Sequence, residues 1–158
     1  MGGTALSVLS PYAAERVEPI AVAEMVAEGL ARSASDPGSW YSADGLPYGY
    51  GVQAPDAETE PEQLQSLERA AGVTMSSDVV FHIFVNDRSG RPALARMAQR
   101  VARRVEGWVF VEFSEPPSAE LLGQLAAAGR CVDVGGAVFL DAAAMTAWNV
   151  HPEFHVVK

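Results

Sequence analysis

Apolar positions recur along this chain at two spacings, near 3.6 residues and near 2, and the switches between them mark its elements. Residues 4–9 (TALSVL) alternate in part and predict an opening strand, closed by Pro11. After Glu18-Pro19, residues 20–31 (IAVAEMVAEGLA) predict a helix with proline in its first turn. Val22, Ala23, Val26, Ala27 and Leu30 fall on one side of it, and Glu24 and Glu28 form an acidic edge on another. Residues 62–71 (EQLQSLERAA) return to the helical period through Leu64, Leu67, Ala70 and Ala71 and stop at Gly72. The run 79–85 (VVFHIFV) is continuous, β-branched and aromatic, the signature of a central strand. A turn at NDRSGRP follows, and Pro92 opens a helix to Val105. Its Leu94, Met97, Ala98, Val101 and Val105 share one face, opposite Arg96, Arg100 and Arg103. Gly107 precedes a strand over 108–113 (WVFVEF). Pro116-Pro117-Ser118 starts a helix over 119–128, which Gly129 stops. Residues 131–140 (CVDVGGAVFL) hold two short strands around Gly135-Gly136. Asp141 caps a helix through Asn149, and the tail 150–158 predicts an edge strand.

Between the first two helices the pattern lapses. Residues 33–53 are rich in Gly, Pro, Ser and aromatics, and Asp44-Gly45 sits between two short aromatic runs. This predicts a hairpin over 39–53 in which Trp40, Tyr41, Tyr48 and Tyr50 supply cross-strand pairs. Residues 54–61 (APDAETEP) read as a flexible, acidic, proline-bounded loop. The expected fold is α+β (or α/β): one globular domain over 1–158, built on a single sheet of five to six strands with helices packed on it.

Charge sharpens this outline. Six of the ten arginines fall between Arg88 and Arg104, in a chain of formal charge -9. Residues 1–77 contain 11 acidic and 3 basic side chains; residues 78–158 contain 9 and 8. An acidic protein repels a phosphate lattice, which argues against nucleic acid as partner and suits a cationic protein. The arginine stripe stands opposite an apolar face, and its expected neighbours are the chain's own Glu24 and Glu28. One cysteine, Cys131, rules out an internal disulfide framework, so the expected compartment is cytoplasmic. Neither a secretory leader nor a membrane span is readable, and no membrane partner is expected.

Candidate chemistry is sparse. Arg88 and Arg91 bracket a Ser-Gly turn ahead of a helix, a place where an anion can bind, which keeps a small-molecule or phosphate-ligand domain as the alternative reading. The turn lacks the Walker pattern and has no lysine. His151 and His155 lie four apart in HPEFH, but Pro152 interrupts that helix, and no metal or cofactor is expected. Cys131 has no base beside it, and no catalytic residue is assigned. Tyr and Trp are preferred interface anchors, so Trp40, Tyr41, Tyr48 and Tyr50 are candidate contacts to a partner. The acidic Glu58, Glu60 and Glu62 join them on grounds of charge.

The closing segment DAAAMTAWNVHPEFHVVK resembles the ends of a family of small uncharacterised bacterial proteins of actinobacteria and myxobacteria. The shared residues are Ala147, Trp148, His151, Pro152, Phe154, Val157 and Lys158, and the helix ending in Arg-Arg before Gly-Trp at 91–108 is similar too. The resemblance implies a small acidic immunity protein of the kind encoded beside a secreted toxin. It carries over no site residues. The expectation is therefore a non-enzymatic protein that neutralises a cationic toxin by binding it.

Overall fold

A computed structural model describes residues 3–157. Eight strands form one sheet in the order β2-β3-β4-β5-β1-β6-β8-β7, every neighbouring pair antiparallel. In chain order the strands are β1 (Thr4–Ser10), β2 (Ala31–Arg32), β3 (Trp40–Tyr41), β4 (Pro47–Gln53), β5 (Ser77–Ile83), β6 (Trp108–Val111), β7 (Cys131–Val134) and β8 (Ala137–Leu140). The helices are α1 (Ala14–Ala27), α2 (Pro61–Ala71), α3 (Arg91–Arg104), α4 (Ala119–Ala128) and α5 (Ala142–Asn149). The α+β class holds, with eight strands where five to six were expected. β2 is two residues long, too short to carry any period. The tail forms no strand among its described residues, because Pro152 turns the chain and Phe154 and His155 pack edge-on against the Trp148 ring.

β1 is the hinge of the topology. Residues 4–10 pair with 83–77 of β5, and residues 7–9 pair with 110–108 of β6. β5 and β6 therefore run parallel to each other with β1 between them, joined by α3 crossing one face. That face is fully covered, by helices packed in the spatial order α1, α3, α5, α4. Leu6, Val8, Val79, Phe81, Ile83, Val109, Val111, Val138 and Leu140 point into it and meet Val17, Met25, Leu94, Met97, Val101, Leu121 and Trp148. On the opposite face only α2 packs. Its Leu64 and Leu67 join Leu9, Met75, Trp108 and Phe139 in a second, smaller core at the β7 side.

Helices α2 to α5 begin and end where the sequence places them, within a residue, because each carries a punctuating residue. Gly72 ends α2 in the left-handed conformation at φ 73°, and Ser118 and Asp141 cap α4 and α5 through Leu121 N and Ala144 N. α1 departs from expectation. It starts at Ala14, so Pro19 lies inside the helix on the solvent side, where the missing hydrogen bond leaves a carbonyl to water. Its buried residues are Val17, Ala21, Glu24 and Met25, while Ala23, Val26 and Ala27 are exposed. Alanine and valine occur all round α1, so its apolar pattern alone selects no face. The carboxylates select it.

Those carboxylates meet the arginine stripe. Arg100 Nε donates to Glu24 Oε2 at 2.7 Å and its Nη2 lies 2.9 Å from Glu28 Oε2. Arg104 Nη1 donates to Glu24 Oε1 at 3.0 Å, and Arg96 Nε donates to Glu28 Oε1 at 2.8 Å. Arg104 takes the place expected for Arg103, which is exposed. Glu24 is only 8% exposed. Its burial opposes ionisation, but hydrogen bonds from Arg100 and Arg104 outweigh it and hold the carboxyl below its usual range. Glu24→Ala leaves two half-exposed guanidinium groups without their shared acceptor. It is expected to cost about 1–2 kcal/mol in urea unfolding, a value between those of exposed and buried pairs. Arg103→Ala, in the same assay, should change stability by less than about 0.5 kcal/mol.

Candidate functional site

The uncovered half of the second sheet face is where side chains remain available. Strand alternation decides which ones. In β4 the YGYG repeat sends Tyr48, Tyr50 and Val52 to the helix layer and Gly49 and Gly51 to the open face. Trp40 lies under the helices, 4% exposed, with Arg32 stacked 4.8 Å from its ring centre. Tyr48, 2% exposed, donates its hydroxyl to the Gly90 carbonyl at 3.2 Å. Gly90 has no space for a side chain, since a Cβ there would lie 2.7 Å from that hydroxyl. Tyr50 donates to Glu18 on α1 at 2.8 Å. Trp40 and Tyr48 are thus core residues rather than surface anchors, and Tyr50 is half-buried and tied to α1. Of the four aromatic candidates, Tyr41 alone is broadly exposed, at 42%, on the opposite side of β3 from Trp40.

Tyr41 has neighbours that the sequence reading placed in a buried strand. Tyr41 pairs with Pro47, and Pro47 O accepts from the Phe84 amide, so the three lie in a row across the sheet. Phe84 is 50% exposed and packs edge-on against His82, with ring centres 4.6 Å apart. Both rings lean over Gly49, where a Cβ would meet His82 Nε2 at 2.8 Å and Phe84 Cζ at 2.9 Å. The glycine is the seat of this patch. Burial pulls the His82 ring below its ordinary pKa, so it is neutral at pH 7. Asp44 and Asp87 stand at the same end of the sheet, close enough to act on Tyr48.

The acidic segment 54–60 winds beneath this face in a series of turns before α2. Its Thr59 is buried, and Glu58, Glu60 and Glu62 are exposed. Among the described residues none of these three carboxylates forms an ion pair. Glu58 bears on two groups of the open face, His82 and Asp78.

Asp78 is the group the sequence reading missed. It is the second residue of β5, fully buried, and accepts from Gln53 Nε2 at 3.0 Å and more weakly from Ser7 Oγ at 3.4 Å. Its Oδ1 is buried without a hydrogen-bond partner. Burial pushes its carboxyl up to about 6, against the pull of the Gln53 and Ser7 bonds and with a smaller upward push from Glu58. The signal in the sequence was a single polar residue between SS and an apolar run, which reads as a strand boundary.

The alternative anion site is arranged otherwise. Asp87 Oδ1 already accepts from the Ser89 amide at 2.8 Å, which places a carboxylate at the turn. Arg91 Nη1 donates to the Val156 carbonyl at 2.6 Å, and Arg88 is exposed. His151 Nε2 lies 2.7 Å from Gln124 Oε1, and His155 Nε2 accepts from the Ser114 amide at 3.2 Å. Among the described residues no three His, Cys, Asp or Glu side chains come together to hold a metal ion. Burial pushes the Cys131 thiol up, with Asp133 and Asp141 adding to the effect. No helix is long and apolar enough to cross a membrane among the described residues.

Asp78 binds a proton more tightly folded, near 6, than at its ordinary 3.8. Its ionisation therefore costs nothing to stability below about pH 4 and about 3 kcal/mol once the pH has risen past 6. Asp78→Asn keeps the Gln53 bond and removes that cost. By urea unfolding it should match the parent near pH 4 and exceed it by about 2–3 kcal/mol at pH 7.5. Searches against family models, curated proteins and solved structures find no match to this chain.

Proposed function

We propose that this chain is a non-enzymatic protein-binding protein, of the immunity type, that neutralises a cationic toxin by covering its working surface. One observation carries this reading. An exposed Tyr41–Pro47–Phe84 row, with His82 beside it, lies on an uncovered sheet face, and Glu58, which bears on His82, forms no ion pair among the described residues. Aromatic side chains of this kind bury large areas with few rotors to freeze, which makes them efficient anchors. Glu58, Glu60 and Glu62 supply a field that draws a basic partner in and fixes its orientation. The contact surface in this reading is built on Tyr41, Phe84 and His82, with the three glutamates at its rim.

Co-expression with the product of the adjacent gene, followed by co-purification and a growth assay, tests the proposal. The expected result is a retained complex and relief of toxicity; unrelieved growth arrest with no complex overturns it. Tyr41→Ala and Phe84→Ala should each weaken the complex tenfold or more, about 1.4 kcal/mol, by speeding dissociation while leaving the association rate unchanged. The triple change Glu58→Gln, Glu60→Gln and Glu62→Gln should instead lower the association rate and flatten its salt dependence.

A further inference from the structure

β1 and β6 are hydrogen-bonded only through residues 7–9 and 108–110, and beyond Ser7 and Phe110 the two strands part. A pocket of about 280 Å³ opens in this seam. Its inner wall is the covered core, Leu6, Val111, Met145, Trp148 and Val156, all buried, together with half-buried His155, which stands edge-on to Trp148 with both ring nitrogens engaged by the backbone of Ser114 and Glu153. Its outer end, on the open face, carries Ser7, Thr59 and Phe110 between the exposed carboxylates of Glu58 and Glu112. The pocket is therefore polarised, apolar at depth and acidic at the mouth.

The chemistry of an occupant follows from that polarity. Glu58 and Glu112 form no ion pair among the described residues, and buried Asp78 sits behind Ser7. An anion is repelled by all three. A cation at the mouth gains both carboxylates and the face of the Phe110 ring. The apolar depth asks for a hydrocarbon body on that cation. The volume lies just under the roughly 300 Å³ at which sites for drug-sized ligands begin, so the body is small. A lysine or arginine side chain of a protein would enter charge first, carrying its charge toward Leu6, Met145 and Val156. A free molecule enters tail first and leaves its charge at the rim.

We propose that the β1–β6 seam is a binding site for a small organic cation, a primary ammonium or guanidinium on a short apolar body, inserted tail first between Phe110 and Trp148. Glu58 and Glu112 hold its head, and Leu6, Met145 and Val156 enclose its tail. The site shares Glu58 with the rim of the proposed protein-contact surface, includes neither Tyr41 nor Phe84, and takes its ligand without a protein partner.

Titration of the full chain, isotope-labelled, with n-butylammonium, phenethylammonium and n-butylguanidinium tests this by amide and indole chemical shifts. Butyrate and the blocked tripeptide acetyl-Ala-Lys-Ala-amide serve as comparison ligands. At least one free cation should give saturable shifts centred on Ser7, Phe110, Glu112 and the Trp148 indole. Glu58→Gln combined with Glu112→Gln, both exposed and safe for folding, should weaken it tenfold or more. Butyrate and the tripeptide should bind at least tenfold more weakly than that cation. The absence of saturable shifts with every free cation overturns the proposal, and so does equal binding of butyrate. A tripeptide that binds as tightly as the free amines overturns the tail-first site in favour of a partner's side chain.

Discussion

The double pairing of β1 holds this molecule together. Its residues 4–10 run the length of β5, and three of them also run along β6. No other ladder joins the β2-β3-β4-β5 half of the sheet to the β6-β8-β7 half. The hydrogen bonds of one short strand, backed by Leu6 and Val8 in the helix-side core, make one sheet of two. The inequality of the two ladders matters as much as their presence. Where β6 leaves β1, a seam opens between covered core and open face, and a polarised pocket lies in it.

A second constraint is the unequal dressing of the two faces. Four helices cover one face; α2 covers part of the other. The α1–α3 contact is closed by the cluster of Glu24, Glu28, Arg96, Arg100 and Arg104, which joins the acidic edge of α1 to the arginine stripe. Three arginines of the stripe are thus matched internally, and the carboxylates of 54–62 are among those that form no ion pair among the described residues. Charge complementarity inside the molecule decides where charge remains outside it.

The helices were legible in the sequence wherever a residue of special backbone or capping chemistry marked an end: Gly72, Ser118, Asp141. The β7–β8 hairpin was legible because Gly135 and Gly136, at φ 58° and 94°, are the residues that a two-residue turn of left-handed conformation requires. The orientation of α1 was not, since Ala and Val occur on every side of it, and the face was chosen by a partner helix some 70 residues away. VVFHIFV reads as a central strand, and its continuous apolar run does not tell one side from the other. One of its sides lies open, and that is why His82 and Phe84 reach solvent. Conversely, the YGYG alternation looked like a display of tyrosines, although its glycines are what face the side without helices, Gly49 beneath the His82 and Phe84 rings. Asp78 was invisible because its burial comes from Gln53, Ser7 and the loop bearing Glu58, none of them adjacent in sequence.

β1 also sets a timetable. It is made ahead of both its partners, which lie about 70 and 100 residues downstream. Until they arrive, Leu6, Val8 and Leu9 have no sheet to join, and the strand must wait with both edges bare. A fold whose central strand is made first and enclosed last closes slowly, because the largest loops must form before the sheet yields its gains. The seam beside β6 is the final product of that order: a ladder of three residue pairs, made across the longest stretch of chain.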